Sequence, residues 1–248
     1  MGRRVAVAVV VVVAAAVAGC ASSAPSRAPT PSSSPPDAPS PVTAPAAPHV
    51  EEPPVVALAP AFTSAITPIT PELADRMSAS WRPGCPVPLE DLRYVTVTHR
   101  DFTGAAVQGE LVVHADAADA VVTVFRALFD AGYPVRSLRL VDDFGASDDA
   151  SMDADNTSAF NCRAITGGTG WSEHAYGRAI DLNPVENPYV RGGSVAPDAG
   201  REFADRPDSP GVIHPDDEVV RAFASVGWQW GGDWASPIDY QHFSPSGR

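Results

Sequence analysis

The stretch Trp171–Pro184, "WSEHAYGRAIDLNP", places a histidine and an aspartate seven residues apart, His174 and Asp181. Small residues, Ala175, Gly177 and Ala179, lie between them, and Pro184 closes the segment. Ala179 to Leu182 reads as a short strand, with Ile180 and Leu182 on one face and Ala179 and Asp181 on the other. The chain has only 6 His, so the partners of this pair can be sought one by one.

They lie near the other end of the chain, in "WQWGGDWASPIDYQHFS". A second histidine, His242, follows Asp239 by three residues. A catalytic zinc site needs three protein ligands of nitrogen or oxygen type and one open position. His174, Asp181 and His242 supply such a set, and one atom from each should lie about 3–4 Å from the others if all three bind one ion. The attacking water also needs a proton acceptor that is not a ligand, and Asp239 is the candidate. On an ideal strand residues 239 and 242 face opposite ways, so the chain must bend or coil between Pro237 and Gln241.

"SEHAYGRAID" matches in full the Ser-x-His-x-x-Gly-x-Ala-x-Asp motif of the zinc D-Ala-D-Ala peptidases, and Asp239-Tyr-Gln-His242 resembles that family's second motif. "WGGDW", Trp230 to Trp234, precedes it as it often does in the branch holding L-alanyl-D-glutamate endopeptidases and D-alanyl-D-alanine carboxypeptidases. The resemblance covers most of residues 85–243 in element order. It implies one zinc on His174, Asp181 and His242, Asp239 as general base, and the hedgehog/DD-peptidase fold. The chain departs from many members in one place: Ser244 stands where they carry an acid two residues after the last His. The family also uses an upstream basic residue to hold a substrate carboxylate or a developing oxyanion. Arg163 is the candidate here, against a purely structural role on neighbouring carbonyls. Ser172, the motif serine, is a candidate for a substrate hydrogen bond or for stabilising the turn.

The chain opens "MGRRVAVAVVVVVAAAVAGC": two arginines, an apolar run from Val5 to Ala18, then Gly19 and Cys20. The run is short for a span of roughly 20 apolar residues and has the layout of an export signal. Its end resembles a bacterial lipobox, with Cys20 as the acylated residue. Residues 21–60 are rich in Pro, Ser, Ala and Thr and bury too little to offset chain entropy, so they read as a disordered linker. Residues 61–248 then form the peptidase domain, with 1–20 as the lipoprotein signal. The expected location is outside the cell membrane, anchored by lipid and facing the wall. A monomer is expected.

The whole net charge of −13 lies in that domain, which disfavours nucleic acid as a partner. There is no Lys, so lysine chemistry is excluded. Cys85 and Cys162 are expected to form a disulfide in an oxidising compartment.

The elements point to an α+β fold with a largely antiparallel sheet. "PELADRMSASW" suggests a short helix. "DLRYVTVTHRDF" and "GELVVH" read as strands. "ADAADAVVTVFRALFDAGYP" reads as a helix, with Asp116 and Asp119 in its first turn and Gly132 at its end. "VRSLRLV" is a third strand, and Asp142 to Thr157 a solvated loop. "DDEVVRAFASVGW" is a helix and "YQHFS" a last strand. His99 and His114 fall on strands and read as structural, His49 as inert, and His214 as unassigned. Of Trp228, Trp230 and Trp234, at least two are expected in core or rim packing.

The leading function is hydrolysis of peptidoglycan stem peptides, by carboxypeptidase or endopeptidase action. Alternatives are a catalytically silent zinc-containing wall-binding domain and a non-haem iron oxygenase, since two His and one carboxylate also describe that metal site.

Overall fold

The computed structural model describes residues 60–165 and 168–247. Cys20, the signal, most of the linker and His49 lie outside them. No helix among the described residues is long and apolar enough to cross a membrane.

β1 (Ser64–Pro68) is followed by a short helix, α1 (Pro71–Arg76). The long strands β2 (Leu92–Arg100) and β3 (Ala106–His114) come next, all three strands pairing antiparallel with β2 in the centre. Period-2 alternation gives this sheet two apolar faces. Val95, Val97, Leu111 and Val113 face the main core, while Leu92 and Val112 face a second cluster with Met77, Val87, Leu140 and Phe160.

α2 (Ala118–Ala131) packs on the first face through Val121, Val124, Phe125 and Leu128. It ends at Gly132, whose φ of 77° lets its N–H turn back to the Leu128 and Phe129 carbonyls. Asp119 is in its first turn, but Asp116 falls before the helix and pairs instead with His114 and Arg178.

The expected third strand shrinks to β4 (Ser137–Leu138). The Asn156 side chain accepts from Arg139 N and donates to Arg139 O, both at 3.0 Å, so a carboxamide takes the place of a ladder partner and pairing stops there. The segment read as a solvated loop is also structured. It contains α3 (Asp148–Asp153), capped by Ser147, and β5 (Asn156–Thr157), parallel to β4. Ser151, Asp155, Asn156 and Thr157 are all buried. A helix that buries a serine in place of an apolar stripe leaves no periodic signal, although Ser147 followed by Asp148 and Asp149 is a helix start.

β6 (Ile180–Asp181) leads to a hairpin, β7 (Tyr189–Arg191) and β8 (Ser194–Ala196), turned by Gly192 and Gly193. α4 (Glu218–Ser225) is capped by Asp217, which accepts from Val219 N and Val220 N. Then come β9 (Gln229–Trp230), β10 (Ile238–Asp239) and β11 (His242–Ser244). β11 is the centre of a sheet with β6 and β9, and β10 pairs with β7. Phe243 of β11 stacks on Phe223 of α4 at 3.8 Å, and both join Phe125 and Ile180 in the main core. The helices and antiparallel sheets together make an α+β fold, consistent with the hedgehog/DD-peptidase class.

Cys85 and Cys162 are joined by a disulfide, with Cα atoms 5.8 Å apart across 77 residues of chain. A loop of that length is worth about 4 kcal/mol in the chain-entropy picture. Replacing both cysteines by serine is expected to lower Tm by roughly 10 °C in a domain of this size. The capacity to bind metal should persist, because neither cysteine lies in the elements that carry the three candidate ligands. An unchanged Tm in a thermal melt would contradict this.

Candidate metal centre

Asp181 and His242 are brought together by strand pairing. They are direct partners across the antiparallel β6–β11 ladder. On its other side Asp181 exchanges both backbone hydrogen bonds with Ser158, at 2.9 and 3.0 Å. Its N–H and C=O therefore point away from β11, and the next residue, Leu182, donates to Gln241 O. The Asp181–His242 pair thus occupies a non-hydrogen-bonded position, where facing side chains stand closest. Asp181 Oδ1 lies 3.0 Å from His242 Nδ1.

His174 arrives on a tight 3₁₀ turn, Glu173–Tyr176. The Ser172 Oγ accepts the His174 N–H at 3.3 Å to start the turn, and Gly177, with φ 66°, ends it. The Gly177 carbonyl accepts from His114 N at 2.8 Å, so the turn is pinned to the end of β3. A Cβ at position 177 would lie 2.5 Å from His114 N. Gly177→Ala is therefore expected to cost about 2 kcal/mol or more, from the left-handed backbone and the clash together. It should also weaken metal binding by moving His174. A variant with wild-type Tm and metal affinity would refute this role.

His174 Nδ1 lies 2.6 Å from the Ala159 carbonyl oxygen, which only accepts, so Nδ1 carries the proton. Nε2 then lies 3.1 Å from Asp181 Oδ2 in the interior, where either a proton on Nε2 or a metal ion joins the two. Burial pushes the Asp181 carboxyl up, but the charge and hydrogen bonds of His174 and His242 in their protonated forms outweigh it and hold the group well below the usual carboxylate range. Among the described residues this trio is the one group of metal-ligating side chains that converges, its ligand atoms all within 4.8 Å of one another. The donor set of two imidazole nitrogens and one carboxylate suits zinc.

Asp239 lies on β10, and a two-residue turn, Tyr240–Gln241, separates it from His242 on β11. This is the bend that the spacing requires. The approach depends on Gly231, where a Cβ would meet Asp239 O at 2.6 Å, Asp239 Cβ at 3.1 Å and His242 Cβ at 3.2 Å. Asp239 Oδ1 is buried without a partner. Burial first, and then the charge of Asp181, push its carboxyl up to about 7.

Arg163 and Ser172 face each other beside the trio. Ala164 and Trp171 form a bridge, Ser172 N donates to Arg163 O, and Ile165 N to Gly170 O. Arg163 and Ser172 therefore share the opposite side of this ribbon from Trp171. Arg163 Nη2 lies 2.7 Å from Asp148 Oδ2, and Nη1 donates to Ala164 O at 3.3 Å. Asp148 was not expected from the sequence. Nor was the Ala159 carbonyl, which as backbone leaves no sequence signal.

Trp228 and Trp230 are buried in the core, whereas Trp234 is half-buried with its ring 5.4 Å from that of His242. His99 is buried with Nδ1 3.3 Å from Arg100 O, and His114 pairs with Asp116. His214 donates its backbone N–H to Asp217 and lines a separate cleft with Tyr133 and Asp208. Ser244 is fully buried on β11.

The domain thus converges two His and one Asp on a buried point that could hold a metal ion. Residues 166–245, about a third of the chain, match the family model described as D-alanyl-D-alanine carboxypeptidase, and this supports the zinc DD-peptidase family. The matched stretch contains His174, Asp181, Asp239 and His242. No curated protein and no solved structure matches the chain.

Proposed function

We propose that the protein is a zinc peptidase that hydrolyses the peptide stems of peptidoglycan, with His174, Asp181 and His242 as ligands. The observation that carries this reading is the buried convergence of His174, Asp181 and His242, whose ligand atoms all lie within 4.8 Å of one another. When bound, zinc supplies a Lewis acid for the scissile carbonyl and lowers the pKa of water. The chain's own groups do the rest. The Ala159 carbonyl fixes the His174 tautomer and ring. Asp239 takes the proton of the attacking water on its unpartnered Oδ1 and returns it to the leaving amine. Arg163 and Ser172 flank the trio on one side and are the candidates to hold the substrate backbone.

A lipid anchor at Cys20 and a linker over residues 21–60 would hold such a domain at the membrane, facing the wall. The match to a carboxypeptidase family supports a peptidoglycan peptide as substrate. Incubating the zinc-loaded protein with purified muropeptides, and identifying the products by mass, tests the proposal. Release of a stem fragment that stops on chelation and returns with zinc is expected. Intact muropeptides after incubation with the loaded protein would overturn it.

A further inference from the structure

Helix α3 meets the candidate site at two points. Asp148 and Met152 are four residues apart and share one helical face. Met152 Sδ accepts from Gln241 Nε2 at 3.5 Å, next to the ligand His242. Asp148 holds the Arg163 guanidinium. The two side chains of that ion pair are 26% and 25% exposed, so the pair stands at a rim that solvent and substrate can reach. Burial pushes the Asp148 carboxyl up and Arg163 pulls it down, while Asp181 and His174 also act on it, which places it in the field of the metal ligands.

We propose that Asp148 determines specificity: by neutralising Arg163 it makes the site favour an uncharged peptide segment over a free C-terminal carboxylate, and so favours cleavage inside the stem. This rests on the peptidase reading above and on Arg163 meeting the substrate. A free guanidinium at a rim grips a carboxylate through two parallel N–H donors. Here one terminal nitrogen is committed to Asp148 and the other to the Ala164 carbonyl, while Nε is buried. An incoming carboxylate would share Nη2 with Asp148 and lie beside a like charge. A peptide carbonyl needs only one remaining hydrogen and brings no charge. Two carboxylates about 5–6 Å apart in a partly buried site repel enough to shift affinity roughly tenfold or more.

The test is the affinity of the zinc-loaded protein for N-acetyl-D-alanyl-D-alanine and for its C-terminal amide, measured by calorimetry. The wild type should bind the amide at least as well as the acid. Asp148→Asn should raise the acid-to-amide ratio roughly tenfold. Asp148→Glu should restore the wild-type ratio, and the rise should vanish in an Arg163→Ala background. A merely structural Asp148 would change both affinities together and leave the ratio fixed, which would overturn the inference. So would a wild type that strongly prefers the acid, an outcome that needs no variant to fold. In the muropeptide assay, release of terminal D-Ala alone would keep the peptidase and sink this inference. Neither binding nor cleavage would sink both.

Discussion

Asp239→Asn is expected to lower the hydrolytic rate by about 10²- to 10⁴-fold, the usual contribution of a general base, while the protein keeps its zinc. The substitution preserves shape beside Gly231 and removes only the ability to accept a proton. Asp239 Oδ1 is buried and has no partner, so it is not used to hold the fold together. Its carboxyl lies near 7 because burial and Asp181 oppose its charge. A general base at Asp239 would act when ionised, so activity should rise with pH through its pKa and be lost below it. A bound dication favours the ionised form, so the acid limb should fall at or below about 7. Asp239→Asn protein that had lost its metal would make Asp239 a ligand and overturn the division of roles.

His174→Ala should abolish both metal binding and activity. It removes one of three donors and leaves the buried Asp181 carboxylate with only His242 to offset its charge. Breaking a buried pair by removing one partner typically costs 3–5 kcal/mol, so the apo protein should also melt earlier. Alanine at Ser172, by contrast, removes a single turn-capping hydrogen bond, worth about 1 kcal/mol. Metal content and Tm measured side by side separate these cases. A His174→Ala protein with stoichiometric zinc would contradict the ligand set.

The long elements were legible in the sequence because they bury apolar residues at a regular period. β2, β3, α2 and α4 all announce themselves in this way, and Gly132 marks the end of α2. Most of the short strands did not. β9 and β10 have two residues each, and β7 and β8 have three, too few for alternation to show. α3 escaped because its buried residue is Ser151. The trio was visible as residue types at family spacing, and the need for a bend between Asp239 and His242 followed from strand geometry alone. What could not be read was how the side chains are held. The Ala159 carbonyl that orients His174 is backbone. The Asp148–Arg163 pair joins the start of α3 to a loop through tertiary contact, with nothing local to announce it.

Whether His174, Asp181 and His242 hold one zinc, with Asp239 not a ligand, is tested most directly by the metal content of the purified wild type, Asp181→Asn and Asp239→Asn proteins after zinc loading and removal of excess metal. One zinc per chain in the wild type and in Asp239→Asn, with loss in Asp181→Asn, is the expected result. A wild type that retains no zinc, or an Asp181→Asn protein that retains it fully, would contradict the account.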